Sequence, residues 1–503
     1  MAENEKRDQR PLWAHQVRTI EQALPLDFFG IFNDPGTGKT RTVIEILRGK
    51  FAQKGRLLKT LIICPPIVID NWRDEWLKYS AVPGSYITGL SGTGKQRLNT
   101  LVERGFEGLA CPKLHIFITN YESLQMEELL ELLKKWKPEA IVFDEAHRLK
   151  DYRRTAIRAQ AAFKLANPGT KTAPAPRPLV YLLTGTPYPN SLLDIFMPYR
   201  VMDGGKTFGS TMTGFRDKYF RDKNAHMPKE KYFPKWVPLQ GAKEELGRKM
   251  KDTSVRVEID SCMDLPPVVQ KTIAVEMDPE QKRIYQDMLK EFVAIFERDG
   301  EQKESVATMA MTKGLRLMQI ASGYVKDAEG QEHSATSSDW TPKQEALKQI
   351  LEDWTPGHKV IVWAVWKHNY EQIRAVCKKL KIEWLEMNGE QGAAKNRANA
   401  KLFEESEQYR VIIGHPESGG EGINLVSSPC RVSYSRNFSW RQMKQSDARN
   451  RRGGSERHAS ITRINLVTKG TVEEKITAKL ANHEEITETV LREITLHIDK
   501  EPT

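Results

Sequence analysis

The chain has 503 residues, 39% of them hydrophobic and 28% charged, with 77 Lys and Arg against 66 Asp and Glu for a formal charge of +11. Such a length predicts two to four domains with a real core in each, and the composition suits a soluble globular protein rather than a disordered or membrane one. No apolar run reaches the roughly 20 residues of a bilayer span, and the five scattered cysteines form no CxxC pair, which argues against zinc and against a disulfide framework. The positive balance suits a polyanionic partner, and a merely basic soluble protein fits it too.

In chain order, "MAENEKRDQR" (1–10) has no apolar stretch and is not a secretion signal. "RPLWAHQVRTIEQAL" (10–24) follows, and then "FFGIF" (28–32) reads as a short buried strand running into "NDPGTGKT" (33–40). Glycines there free a tight turn, Lys39 can reach phosphates and Thr40 supplies a hydroxyl for a cation. "RTVIEILRGK" (41–50) is helical through Val43, Ile46 and Leu47, so the turn opens a helix whose N-terminus favours anions. Asp34, Pro35, Gly36, Thr37, Gly38, Lys39 and Thr40 are therefore the expected nucleotide cradle. A second GTGK at 92–95 has Gly89 in the first-glycine position, but Gln96 replaces the hydroxyl residue; it reads as a glycine-rich surface turn.

"AIVF" (140–143) is an apolar strand ending in Asp144-Glu145, which places two carboxylates at a strand's C-terminal edge. Alone, such a pair also suits a helix N-terminus. Downstream of a phosphate loop, it predicts Asp144 on a magnesium ion and Glu145 orienting the attacking water. "NPGTKTAPAPRP" (167–178) reads as an exposed linker and "KVIVWAVW" (359–366) as another buried strand. In "QMKQSDARNRRGG" (442–454), Gln445, Arg449 and Arg452 are spaced by four and three, which predicts one helix face.

With "DPGTGKT" followed by "DEAH", the chain resembles helicase superfamily two, and further segments resemble its Swi/Snf-like DNA translocase branch in compact bacterial or phage form. These segments are "CPPIVIDNWRDEWLKY" (64–79), "FITNYESL" (117–124), "LLTGTPYPNSLLDIF" (182–196), "TFGSTMTGFRDKYF" (207–220), "EMNGEQGAAKNRANAKLFEE" (386–405), "GHPESGGEGINLVSS" (414–428) and the Gln-x-x-x-Arg-x-x-Arg stretch. The resemblance spans about residues 10–485 and implies an α/β fold of two RecA-like lobes, each a mostly parallel sheet flanked by helices, with a small helical insertion. The expected boundaries are 1–200 for lobe one, 201–260 for the insertion and linker, and 261–503 for lobe two with a C-terminal brace helix; no further domain is expected.

The resemblance implies ATP and Mg²⁺ as cofactors, with Gln16 reading the adenine and Gln445, Arg449 and Arg452 reaching the nucleotide from lobe two. It places coupling on Thr184, Gly185, Thr186, Gly420 and Gly422, and DNA contact on Trp72, Thr119, Asn120, Arg397 and Asn424. In place of the acid usual before the first arginine stands Ala448, with Asp447 one position earlier. The implied activity is ATP-dependent translocation on double-stranded DNA by a monomer in a bacterial or phage-infected cytoplasm, away from membranes. Three matters stay open at this point: a strand-separating or fork-remodelling helicase, an ATP-gated DNA-binding scaffold, and unidentified protein partners or a nuclear setting.

Overall fold

The computed structural model describes residues 11–481 except 81, 83, 108–114, 154, 170–174, 186, 189–190, 229–231, 233, 263, 300–303, 327–330 and 418–422. The chain divides into two compact units, residues 1–263 and 264–503.

The first unit is built on β1 (Phe28–Ile31), β2 (Thr60–Cys64), β3 (Ile87–Gly89), β4 (Ile116–Asn120), β5 (Ala140–Asp144) and β6 (Leu179–Leu183). A small antiparallel hairpin, β7 (Phe220–Asp222) with β8 (Trp236–Pro238), precedes β9 (Ser254–Val255). The main sheet runs β3-β4-β2-β5-β6-β1-β9, and every neighbouring pair is parallel. Parallel strands covered on both faces read as unbroken apolar runs, and "TLIIC", "IFITN", "AIVFD" and "LVYLL" do so. Their side chains still alternate. Leu61, Ile63, Ile141 and Phe143 join one core with helices 127–136, 157–166 and 196–203, whereas Ile62, Val142, Tyr181 and Leu183 join the other with helices 39–54 and 69–79.

The second unit is built on β10 (Val268–Val275), β13 (Val360–Trp363), β14 (Trp384–Met387), β15 (Val411–Gly414), β16 (Cys430–Ser433) and β17 (Ile461–Thr468), with an antiparallel hairpin of β11 (Tyr324–Lys326) and β12 (Glu332–Ser334). Its sheet runs β10-β17-β16-β13-β15-β14, again with all pairs parallel. Helices 342–354 and 367–380 cover one face and 392–405 the other. Helices 279–299, 304–321 and 472–481 share a third core that includes Tyr285, Leu317, Val472 and Ile476. Each unit is thus a doubly wound α/β layer structure of the RecA-like kind. Residues 482–494 of the expected brace helix, like Thr186, Gly420 and Gly422, lie outside the described residues.

Candidate active site

Three adjacent strands, β5, β6 and β1, carry the site on their C-terminal ends, where ligands bind in open α/β sheets. After β1 the chain turns through Gly36 (φ 89°) and Gly38 (φ 73°), and helix 39–54 begins with Gly38 as its N-cap. Gly38 is doubly required, since a Cβ there would sit 2.5 Å from Gln16 Nε2. Inside the turn, Thr37 Oγ1 donates to the Asp34 carbonyl (2.7 Å). Lys39 Nζ donates to the carbonyls of Asn33 (2.9 Å) and Asp34 (3.0 Å), so its ammonium is held over the loop it belongs to.

Helix 14–23 clamps this loop from outside. Gln16 Nε2 donates to the Gly38 carbonyl at 3.2 Å, Gln16 Oε1 accepts from Trp13 N at 2.9 Å, and His15 Nε2 lies 3.0 Å from the Thr37 carbonyl. Gln16 is only 1% exposed. The amide expected to read adenine bonds here to the loop and to its own helix start. Asn33, standing where the simple motif has glycine, is fully buried, and its Oδ1 accepts from Val257 N at 2.9 Å. Nothing in the local sequence announced that partner 224 positions away.

Asp144 ends β5. Its Oδ2 accepts from the Trp72 indole N–H at 2.8 Å, its Oδ1 accepts from Glu145 N at 3.0 Å, and its carbonyl accepts from the Tyr121 hydroxyl at 2.7 Å. Burial, and then the neighbouring Glu145 charge, push its carboxyl up to about 6 against the opposing pull of Trp72 and Lys39. That elevation marks a buried carboxylate short of positive charge. Together with the hydroxyl of Thr40 in the first turn of helix 39–54, it offers hard oxygen donors of the kind a magnesium ion takes, so the residues fit the implied metal.

Glu145 has a left-handed backbone (φ 52°). The two other described non-glycine residues with positive φ, Lys137 and Lys381, close helices, where that conformation is common; Glu145 follows a strand, which marks local strain of the sort held at functional sites. Its Oε2 lies 3.1 Å from His147 Nδ1 and 3.5 Å from Thr184 Oγ1, and His147 Nδ1 lies 3.1 Å from the same hydroxyl. His147, buried and unremarked in the sequence beyond its place in "DEAH", thereby links Glu145 to the residues after β6. Gly185 completes the link. A Cβ on it would meet Pro35 Cδ at 3.0 Å, so this glycine packs directly on the phosphate loop.

Trp72, Thr119 and Asn120, expected to touch DNA, are 1%, 0% and 4% exposed, with their side chains engaged inside the unit. Trp72 serves Asp144, Thr119 Oγ1 donates to Ser123 Oγ (2.8 Å), and Asn120 Oδ1 accepts from Ser123 N (2.9 Å) as a helix cap. Arg397 is half-buried on helix 392–405 and Asn424 is exposed. The second GTGK forms a capping box: Thr93 N donates to Gln96 Oε1 (2.8 Å) and Gln96 N to Thr93 Oγ1, which consumes the loop donors a phosphate would need.

In the second unit the arginine pair does not share a helix face. Helix 440–447 carries Gln445, half-buried, and ends at Asp447; Arg449 and Arg452 lie in the turns beyond it. They converge nonetheless, with both guanidinium groups near the Ile423 carbonyl (3.4 and 3.5 Å). Leu425 N donates to the Arg449 carbonyl (3.0 Å) and Asn450 Nδ2 to that of Ser428 (3.1 Å), so this turn clasps 423–428. Asp447, the displaced acid, pairs with buried Arg431 (2.8 Å) and with Arg463 (3.4 Å).

A family model described as the SNF2-related domain matches residues 30–322. "Putative protein p41" of Acyrthosiphon pisum secondary endosymbiont phage 1 is 25% identical over 422 residues, covering 82% of each chain. The "Uncharacterized ATP-dependent helicase MG018" of Mycoplasma genitalium is 24% identical over 471 residues, covering 92% of this chain, which spans only 40% of that protein. Among solved structures, the Sulfolobus solfataricus SWI2/SNF2 ATPase core in complex with dsDNA is 20% identical, covering 98% of this chain and 95% of that one, with a TM-score of 0.41. Among the described residues, no helix is long and apolar enough to cross a membrane.

Proposed function

This chain belongs to the SNF2-related family as a helicase-like ATPase core, and on that premise we propose that it hydrolyses ATP to ADP and phosphate and couples the reaction to movement along double-stranded DNA. The observation that carries this reading is the joined constellation on β1, β5 and β6: a glycine turn with Lys39, the buried Asp144, and Glu145 tied to Thr184 through His147.

In this reading Lys39 leaves its loop carbonyls for the β- and γ-phosphates, which offer stronger, charged acceptors. Thr40 and Asp144 would hold Mg²⁺, which supplies positive charge to the phosphate oxygens when bound. Glu145 orients the attacking water, and its strained backbone and its His147 contact fix the carboxylate's direction. Thr184, Gly185 and Thr186 carry the nucleotide state away from the site, because Gly185 cannot shift without moving Pro35. Gln445, Arg449 and Arg452 act on the nucleotide from the second unit, with both arginines stabilising charge on the γ-phosphate. Gly420 and Gly422 of the same unit take part in coupling, and Arg397 and Asn424 contact DNA. The boundaries 1–200, 201–260 and 261–503 remain the functional division we propose, within a monomer of a bacterial or phage-infected cell. The net charge of +11 supports a phosphate-dominated DNA track with little sequence preference.

Triplex displacement run beside strand displacement tests this reading. A translocase strips the third strand from duplex DNA in an ATP-dependent manner and leaves the duplex intact. Duplex unwinding would replace it with a strand-separating helicase, and absence of both with an ATP-gated scaffold.

A further inference from the structure

Beside β9 the first unit has an open cavity of about 400 Å³ that no step of the ATP reaction uses. Phe32 and Leu246, each 2% exposed, form its floor, and Met250 and Val255 its sides. Its rim carries Lys243, Lys251 and Arg256, and no Asp or Glu is among its described lining residues. The three cations come from the start of helix 242–250, from just past its end, and from the residue after β9, so separate pieces of backbone converge on one opening. Arg256 Nη1 also donates to the Tyr188 hydroxyl at 3.1 Å, which fixes one guanidinium at the rim.

Size, floor and rim agree. The volume lies in the range of small-molecule sites, the apolar floor suits a ring or branched chain, and the unopposed positive rim suits a single anionic group. We propose that this cavity binds a small amphipathic anion: an aromatic or branched apolar body bearing one carboxylate, sulfonate or phosphate. Such an occupant touches Phe32, which immediately precedes the phosphate loop, and Tyr188, three residues beyond Gly185. Because it binds the folded state, it raises the melting temperature of the chain by mass action.

The full chain is titrated with anilinonaphthalene sulfonate, with uncharged N-phenylnaphthylamine as control, and followed by fluorescence and by thermal melting. Gly247 is an exposed lining residue, and a Cβ added there meets nothing within 4 Å, so Gly247→Trp sets an indole at the cavity's opening and adds helix propensity. The proposal expects saturable one-site binding of the sulfonate, at least tenfold weaker in Gly247→Trp, with a melting shift present in the parent and lost in the variant. Lys243→Glu and Arg256→Glu, both at exposed positions, provide variants independent of that indole and should weaken the sulfonate at least tenfold while leaving the neutral probe unchanged. Equal sulfonate affinity in the parent and all three variants overturns the site, and equal affinity for the charged and neutral probes overturns its anion preference.

Discussion

Trp72 carries no charge, yet its indole N–H is aimed at the carboxylate that matters most for the expected metal. The bond opposes a strong upward push on Asp144 from burial and from Glu145. Trp72→Phe keeps an aromatic ring in the core but removes the donor, and partners that orient a metal ligand typically matter by about ten- to a hundredfold. The expected outcome is a fall in ATP turnover of at least roughly tenfold, larger at low Mg²⁺ and partly restored by raising it; turnover that is unchanged at every Mg²⁺ concentration would show the bond to be idle. The residues proposed to touch phosphate stood out in the sequence because a phosphate-binding turn needs glycines, a lysine and a hydroxyl in one short window. Trp72, His147 and Tyr121 were not legible in these roles, since each acts across strands and leaves no local pattern. The resemblance put Trp72 on DNA, and its partner 72 positions on could not be seen in the sequence.

At the level of elements, apolar runs announced β1, β5 and β13, because parallel strands covered on both faces need apolar side chains throughout. The end of helix 440–447 was hidden. A spacing of four and three fits a helix, but Asn450 is fully buried and bonded to Ser428, and Gly454 adopts φ 103°, so tertiary bonds pull the chain into turns. Elements of the second unit are also pinned by a buried ion pair. Lys343 Nζ lies 2.6 Å from Glu473 Oε1, with both side chains about 2% exposed or less, joining helices 342–354 and 472–481. Glu473→Ala strands the ammonium and should cost about 3–5 kcal/mol in chemical denaturation, whereas the double change Lys343→Met, Glu473→Leu should cost clearly less. Equal losses would mean that packing, not charge, is what the pair supplies.

Acid should loosen the first unit through the residue before β4. His115 is buried against Thr88 Oγ1 (2.8 Å), and burial, aided by Arg104, lowers its imidazole from 6.5 to about 4. The unfolded chain therefore takes up this proton near pH 6.5 and the folded chain only near pH 4. The contribution is complete above pH 6.5 and declines as pH falls toward 4, by on the order of 2 kcal/mol after allowing for water screening. His115→Gln should flatten that part of the stability curve; an unchanged slope would place the acid sensitivity elsewhere.

Across the whole molecule, two similar lobes were expected from the family resemblance and not from any internal repeat, and the return of the chain to the sheet edge near residue 254 left no mark in the sequence. Residues 254–259 return to the sheet edge as a two-residue strand, and Val257 and Ile259 donate to the side chains of Asn33 and Asp34, so this stretch supports the phosphate loop from far along the chain. A segment so short has no periodicity to read. The working cycle proposed for the molecule needs acids from the first unit and arginines from the second to act on one nucleotide while phosphate contacts hold a DNA duplex. Phosphate release measured with and without duplex DNA, for the parent chain and for Lys39→Ala, Arg449→Ala and Arg452→Ala, tests that need most directly. Duplex DNA should strongly stimulate turnover in the parent, with losses on the order of a thousandfold in each variant. Parent-like, DNA-stimulated turnover in the two arginine variants would contradict it.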